Sequence, residues 1–510
     1  MNAQSRILSR RATSAWAIGP LLFLACGARG EELLPYPTPT LTAASRREFQ
    51  RALDLYYAFD YEAAISAFER AAQLDPNSSM PQWGIALALG PNLNDPAMEG
   101  RMPRARATAQ RAAESALDES ARERAYARAL LQRYTSGSEF NLDALNRAYS
   151  RDMKDLFVQY PQDDDAAVLY AESVMLALGI QTGHGHTKAP STHDALAAVE
   201  AVLDRNPRHV GANHYHIHLL ESSATPERAL PSAHRLETLT PDAGHLLHMP
   251  SHIYMRLGDY RAAASSNLRA VAADRAHAAK TGKEPPLAAH SREFLAAAAS
   301  MTGQSNVARE ADDNVFVRLR FQRWEDILQQ PMPKHPVSIL EWRVARVLAL
   351  IARDKLREAE VARIEYEAAE RALPPNATWW ADPMVKFVRM VRNEMDARMA
   401  WAAGNKAQAI SHWVEAVDVQ DQLTRAEAVL PWFHPLRESL GAAFYLTGQL
   451  VEAERVFRDD LKLNPKSGRS LFGLWRTLIA LGRIAEAESI ERQFDDAWRD
   501  ADVQLEMEDL

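Results

Sequence analysis

Apolar positions along most of this chain recur in one spaced motif and not in long runs. In GDYRAAASSNLRA at 258–270 a turn residue is followed about five residues later by small alanines, and about four beyond that by a large apolar residue. FDYEAAISAFERAAQLDP at 59–76, AGNKAQAISHWVEAV at 403–417 and TGQLVEAERVFRDDLKLNP at 447–465 repeat the motif, and proline closes several copies. Residues three and four apart share one face of a helix, so each copy predicts an amphipathic helix entered through a tight turn. The copies are regularly spaced: Gly448 and Gly482 are 34 residues apart, as are Pro207 and Pro241. Small alanines let two helices of a unit approach closely, and the large residues fill the seam to the next unit.

This motif resembles the tetratricopeptide (TPR) repeat, a helix–turn–helix unit of 34 residues. The resemblance spans most of 45–495, with irregular spacers around 91–120, 180–193, 278–287 and 328–338. It implies an all-α, TPR-type α-solenoid of about ten or more stacked antiparallel helix pairs. Ala, Leu, Arg and Glu dominate the composition and long β-branched runs are missing, in line with an all-α chain. The expected organisation is an export signal over 1–30, a linker over 31–44, an N-terminal TPR-like array over 45–178, histidine-rich units over 179–310 and a C-terminal array over 311–510.

Eleven of the sixteen histidines fall between His184 and His252. Pro207, Pro241 and Gly258 fix one repeat register. In the TPR family, helix-A positions 2, 5, 9, 12 and 13 line a concave groove, so the resemblance places His214 and His248 at position 5 and His218 and His252 at position 9. Glu221 takes position 12, and His245 and His290 take position 2. His216, at position 7, points into the packing. His214 with His218, and His248 with His252, are i, i+4 pairs on one helical face. Imidazoles with a carboxylate and no sulfur suit copper, iron or zinc. The expected ligands are therefore His214, His218, His245, His248, His252 and His290, with Glu221 as a further ligand or catalytic proton acceptor, gathered on one concave surface within reach of a shared ion and forming one or more metal sites. Pro250 threatens to kink the helix between His248 and His252. GIQTGHGHTKAPSTH at 179–193 is read as a lid or binding loop whose His184, His186 and His193 add ligands. The alternative for the groove is a polar surface that holds a partner segment without metal.

Four blocks, WGIALALGPN, AGHLLHMPSHIYMRLGDY, RFQRWEDIL and PLRESLGAAFYLTG with VFRDDLKLNPKSGRSLFGLW, resemble in that order a group of bacterial TPR proteins. The resemblance implies a shared site more than a named reaction. Members of that group commonly have His where Tyr61 stands here.

Arg6, Arg10 and Arg11 precede the apolar AWAIGPLLFLAC, and Ala28–Gly30 offers a cleavage site, so an exported, periplasmic or cell-envelope protein is expected. Cys26, the single cysteine, is a candidate lipid anchor. Cleavage after Gly30 would remove four arginines and no acid, moving the net charge from −8 to −12. With interspersed charges and no basic stripe, nucleic acid is excluded as a partner. No Gly-X-Ser-X-Gly elbow, His-Glu-X-X-His helix or P-loop is present. The expected function is a metal-dependent oxidoreductase, copper favoured and iron or zinc possible, with a small-molecule or peptide substrate in the groove. The alternatives are an interaction scaffold for a protein partner, an envelope metal carrier or a zinc hydrolase.

Overall fold

The computed structural model describes residues 41–93, 100–134, 141–179, 189–379, 382–423 and 434–510. They lie in one compact unit, Pro37–Leu510. Helices follow one another in adjacent pairs, from Ala43–Tyr57 with Tyr61–Leu74 to Gly468–Ala480 with Ile484–Ala497. The one sheet among the described residues is the two-residue pairing of Thr378–Trp379 with Asp382–Pro383. The fold is an all-α solenoid of TPR type. No helix of the described residues is long and apolar enough to cross a membrane.

The turn residues of the motif have separate jobs. The aspartates are N-caps: the Asp60 carboxylate accepts the Ala63 N–H at 3.2 Å, and Asp259 accepts that of Ala262 at 3.1 Å. The residue before the cap sits in the left-handed region, where glycine carries no steric penalty; Gly258 has φ +72°. A side chain at Gly258 would also collide with the carbonyl of Pro465. That approach joins turns about two hundred residues apart in sequence.

The unit therefore departs from a one-dimensional stack in which each repeat touches only its neighbours. Arg261 pairs with Asp500 at 2.8 Å, and Asp502 accepts the main-chain N–H groups of Ser305 and Asn306. In the first half, the end of Ala43–Tyr57 packs on the helix Val210–Leu220. Gly211 permits this, because the Tyr57 ring occupies the space a Cβ would need.

Two local expectations are corrected. The spacer expected over 91–120 contains the helix Met102–Ser115, which packs on Ser79–Leu89 through buried Ala105, Ala109 and Ala112. Its arginine-rich outer face hid a narrow alanine stripe. His193 is not in a loop: it is exposed in the first turns of the helix Pro190–Arg205, because Pro190 at the helix start is compatible with a first turn that needs no N–H donor. His184 and His186, like the expected signal over 1–30, lie outside the described residues.

Candidate metal centre

Three consecutive A-type helices supply the site. Val210–Leu220 carries His214 and His218 and ends at Glu221. The next is split into Gly244–His248 and Pro250–Arg256 and carries His245, His248 and His252. Ala288–Met301 carries His290. The helix Val210–Leu220 starts at His209, whose Nδ1 accepts the Ala212 N–H at 3.2 Å as an N-cap. Pro250 does break the helix, yet Met249 keeps helical dihedrals (φ −52°, ψ −37°), so the i, i+4 relation of His248 to His252 survives. Beneath the histidines, Ile217, Leu246, Met249 and Ile253 form apolar core. Met249 and Met255 are packing residues in that core.

The six histidines form two triads where a single convergent set was expected. His214, His218 and His245 make one, and His248, His252 and His290 the other; within each, one ring nitrogen per residue lies within 4.8 Å of the others. In the first, His214 Nε2 is 3.0 Å from His218 Nε2 and 3.2 Å from His245 Nε2. In the second, His248 Nε2 is 2.9 Å from His252 Nε2, and the His290 ring centroid is 4.8 Å from that of His248. The triads adjoin, with ring centroids 5.8 Å apart for His245 and His248 and 6.1 Å for His218 and His252. Each triad joins an i, i+4 pair on one helix to a third ring from the next, His245 reaching back to His214 and His290 lying against His248.

The opposite ring nitrogens fix the tautomers. His214 Nδ1 donates to the Tyr57 carbonyl at 2.6 Å. His218 Nδ1 donates to Glu221 Oε1 at 2.9 Å, and His252 Nδ1 donates to Glu221 Oε2. His248 Nδ1 donates to Asn267 Oδ1 at 2.7 Å, an oxygen identified by the donation of Asn267 Nδ2 to the Ala263 carbonyl. Carbonyls and carboxylates only accept, so each of these four rings holds its proton on Nδ1 when neutral. Each then turns an Nε2 lone pair toward another lone pair at 2.9–3.0 Å. Two facing lone pairs repel; a cation bonded to both removes the repulsion. Metal–imidazole bonds of ~2.0–2.1 Å around one ion bring donor nitrogens to about this separation. Glu221, read from the sequence as a ligand or proton acceptor, stands behind the rings and orients one histidine of each triad.

Most of the site is buried, with His245 and His290 partly exposed. His214 and His248 are fully buried, and His218, His252 and Glu221 are nearly so. Burial, then the neighbouring imidazoles, pushes His214, His245 and His248 well below the usual histidine range. Burial alone would raise Glu221, but His252 and His218 outweigh it and hold the carboxylate below its ordinary value. His214, His245 and His248 are thus held as neutral imidazoles, the form in which histidine binds a metal, and Glu221 is ionised.

The cover comes from outside the three helices. The Phe59 ring lies 4.5 Å from that of His214, 5.0 Å from His245 and 5.9 Å from His218. Phe59 occupies the left-handed turn position that is glycine at Gly258, with φ +61°. A bulky residue there is strained, a feature that recurs at functional sites. Phe294 covers the second triad, 4.7 Å from His248 and 4.6 Å from His252. Sequence reasoning missed Phe59, Tyr57, Asn267 and Phe294. A signal existed for the first: FDY at 59–61 aligns with GDY at 258–260 and breaks the glycine rule. Tyr61 stacks on Phe59 at 5.7 Å. His216 binds Ser232 at 2.9 Å in the packing, and His234 is exposed. Trp83 and Tyr56 are core aromatics, Trp83 packing edge-on against Tyr126.

The tetratricopeptide repeat family matches residues 57–78, the turn and helix that carry Phe59 and Tyr61. Among curated proteins none matches the chain. Solved structures similar to it include the APC/C hetero-tetramer Cut9–Hcn1, with 11% identity, 90% of this chain and 80% of that one covered, and a TM-score of 0.34. Yeast Tom70 is similar at 11% identity, covering 91% and 93%, with a TM-score of 0.23. Naa15/Naa10 bound to HypK-THB is similar at 11% identity, covering 89% and 94%, with a TM-score of 0.25.

Proposed function

We propose that the two triads hold a pair of transition-metal ions, copper favoured over iron and zinc, and that the protein is an exported metal-dependent oxidoreductase acting on a small substrate. The observation that carries this is the facing of Nε2 lone pairs within each triad, with Nδ1 protons already committed elsewhere. Three protein ligands per ion leave a coordination position free for substrate. The sulfur-free, all-imidazole donor set favours copper; bound there, the metal would supply electron transfer. Phe59 and Phe294 pack on the rings of the two triads and narrow the space above them. A small substrate therefore fits better than an extended peptide. The basic and apolar character of residues 1–30 supports export, and the four-block resemblance supports a site shared with that bacterial group.

The test is the metal content of tag-free protein isolated from its native compartment. Two copper equivalents per chain, with a signal in electron paramagnetic resonance after partial reduction, are expected. Zinc alone would redirect the assignment to hydrolysis by metal-bound water. Protein that takes up no copper, iron or zinc at micromolar concentration would overturn the metal centre and leave the partner-binding scaffold.

A further inference from the structure

After the helix Ile484–Ala497 the chain leaves the repeat pattern and turns back over the C-terminal half. Asp502 ties it to Ser305 and Asn306. Residues 503–508 then alternate: Val503, Leu505 and Met507 are partly or fully buried, and Gln504, Glu506 and Glu508 are exposed. A period of two is the pattern of an extended chain with one face against the protein. Met507 and Leu510 are buried in the apolar core of the C-terminal half, and Leu505 packs on it.

Side chains from three separate repeats hold the main chain of this segment. Arg469, on the helix Gly468–Ala480, donates to the Asp509 carbonyl at 2.7 Å. Ser439, on Leu436–Leu446, donates to the Leu510 main-chain oxygen at 2.7 Å. Gln322, in the turn after Val315–Arg320, donates to the Asp509 carbonyl at 3.3 Å and to its carboxylate at 3.2 Å. Charge is matched as well. Arg320, Arg398, Arg469 and His434 line the cleft that receives Asp509 and Leu510, and among the described residues Asp509 is the one acid on its wall. Arg320 and Arg398 pair with Glu438 and Glu394, and Arg469 is attracted by both Glu438 and Asp509. With the segment in place, about 20 Å³ of the cleft stays open.

We propose that this groove is a recognition site for an extended acidic segment of a partner protein, and that residues 503–510 occupy it in the free chain. Donors aimed at main-chain oxygens give affinity for any extended chain, and pockets for particular side chains give the choice among them. Here the choice falls on two apolar anchors three residues apart, Met507 and Leu510, with an acid between them. A partner segment of that chemistry would take the place of the chain's own. The groove shares no residue with the histidine triads and stands apart from the metal assignment.

Fluorescence anisotropy of the full chain with a labelled peptide of residues 501–510 tests this. Met507→Ser with Leu510→Ser in the protein should release its own segment. The peptide of unaltered sequence should then bind saturably, one per chain. It should bind the unsubstituted chain at least about 10-fold more weakly, because a tethered segment competes at up to millimolar effective concentration. A peptide carrying Asp509→Lys should lose roughly 10-fold or more in affinity for the double variant, the loss of a charge-assisted contact. Hydrogen exchange of the unsubstituted chain gives a second reading that holds if the double variant fails to fold. Amides of 503–510 should exchange through local opening, faster than those of Leu436–Leu446. Four results would overturn the site: no peptide binding to the folded double variant, binding that Asp509→Lys in the peptide leaves unchanged, protection of 503–510 equal to that of Leu436–Leu446, or dimers that exchange the segment in place of peptide binding, which would assign the groove to a second copy of this chain.

Discussion

His214 and His218 face each other Nε2 to Nε2 at 3.0 Å, with both Nδ1 protons held by acceptors behind the rings. The same arrangement recurs one repeat later in His248 and His252. If each triad holds its own ion, losses should be separable. His214→Ala is expected to remove one metal equivalent per chain and His248→Ala the other, by elemental analysis, with the helical circular dichroism signal retained. His234→Ala should change neither. Loss of both equivalents from either single variant would argue for one shared ion.

Glu221 links the triads through its two oxygens. In Glu221→Gln one oxygen becomes an amide donor facing an Nδ1–H. Losing the anionic partner behind a ligating imidazole typically costs 10–100-fold in metal affinity. Competition with a chromogenic chelator should show weakened binding at both sites, because one histidine of each loses its anionic partner. Weakening at one site alone would mean that the carboxylate serves only that triad.

Phe59 tests the cover and the strained turn together. Phe59→Gly relieves a left-handed conformation worth of order 1–3 kcal/mol. It also removes a 5%-exposed ring, and the loss of such a ring costs about 3–5 kcal/mol. The expected net effect is destabilisation by about 2 kcal/mol in urea unfolding, with faster removal of metal by chelator. A variant as stable as wild type, with unchanged chelator kinetics, would show that the ring shields nothing.

Glu172 gives a pH dependence away from the triads. Burial raises it from 4.5 to about 7, against the Tyr56 hydroxyl that donates to it at 2.6 Å. The folded state therefore binds more protons than the unfolded state between those values. Stability from this group is present below about pH 4.5 and is lost as pH rises to about 7. The integrated change is roughly 3 kcal/mol. Glu172→Gln should flatten that part of the stability–pH curve in urea melts at pH 5, 6, 7 and 8; an unchanged slope would place its origin elsewhere.

Repeat period, alanine spacing and aspartate caps are local properties, so the helix pairs and the register of His214, His218, His248 and His252 were legible in the sequence. Helical periodicity alone puts i and i+4 side chains together, and the repeat brings the next helix alongside. What the sequence could not give was set by contacts between distant repeats. Tyr57 and Phe59 reach the first triad from about 155 residues away. The division into two triads with Glu221 behind them depends on where side-chain tips meet, which turns on rotamers and the spacing between helices. Arg469 reads as an ordinary helical arginine until Arg320 and Arg398 are packed beside it. Burial, and hence charge state, is a property of everything that surrounds a residue; only the tertiary fold decides it.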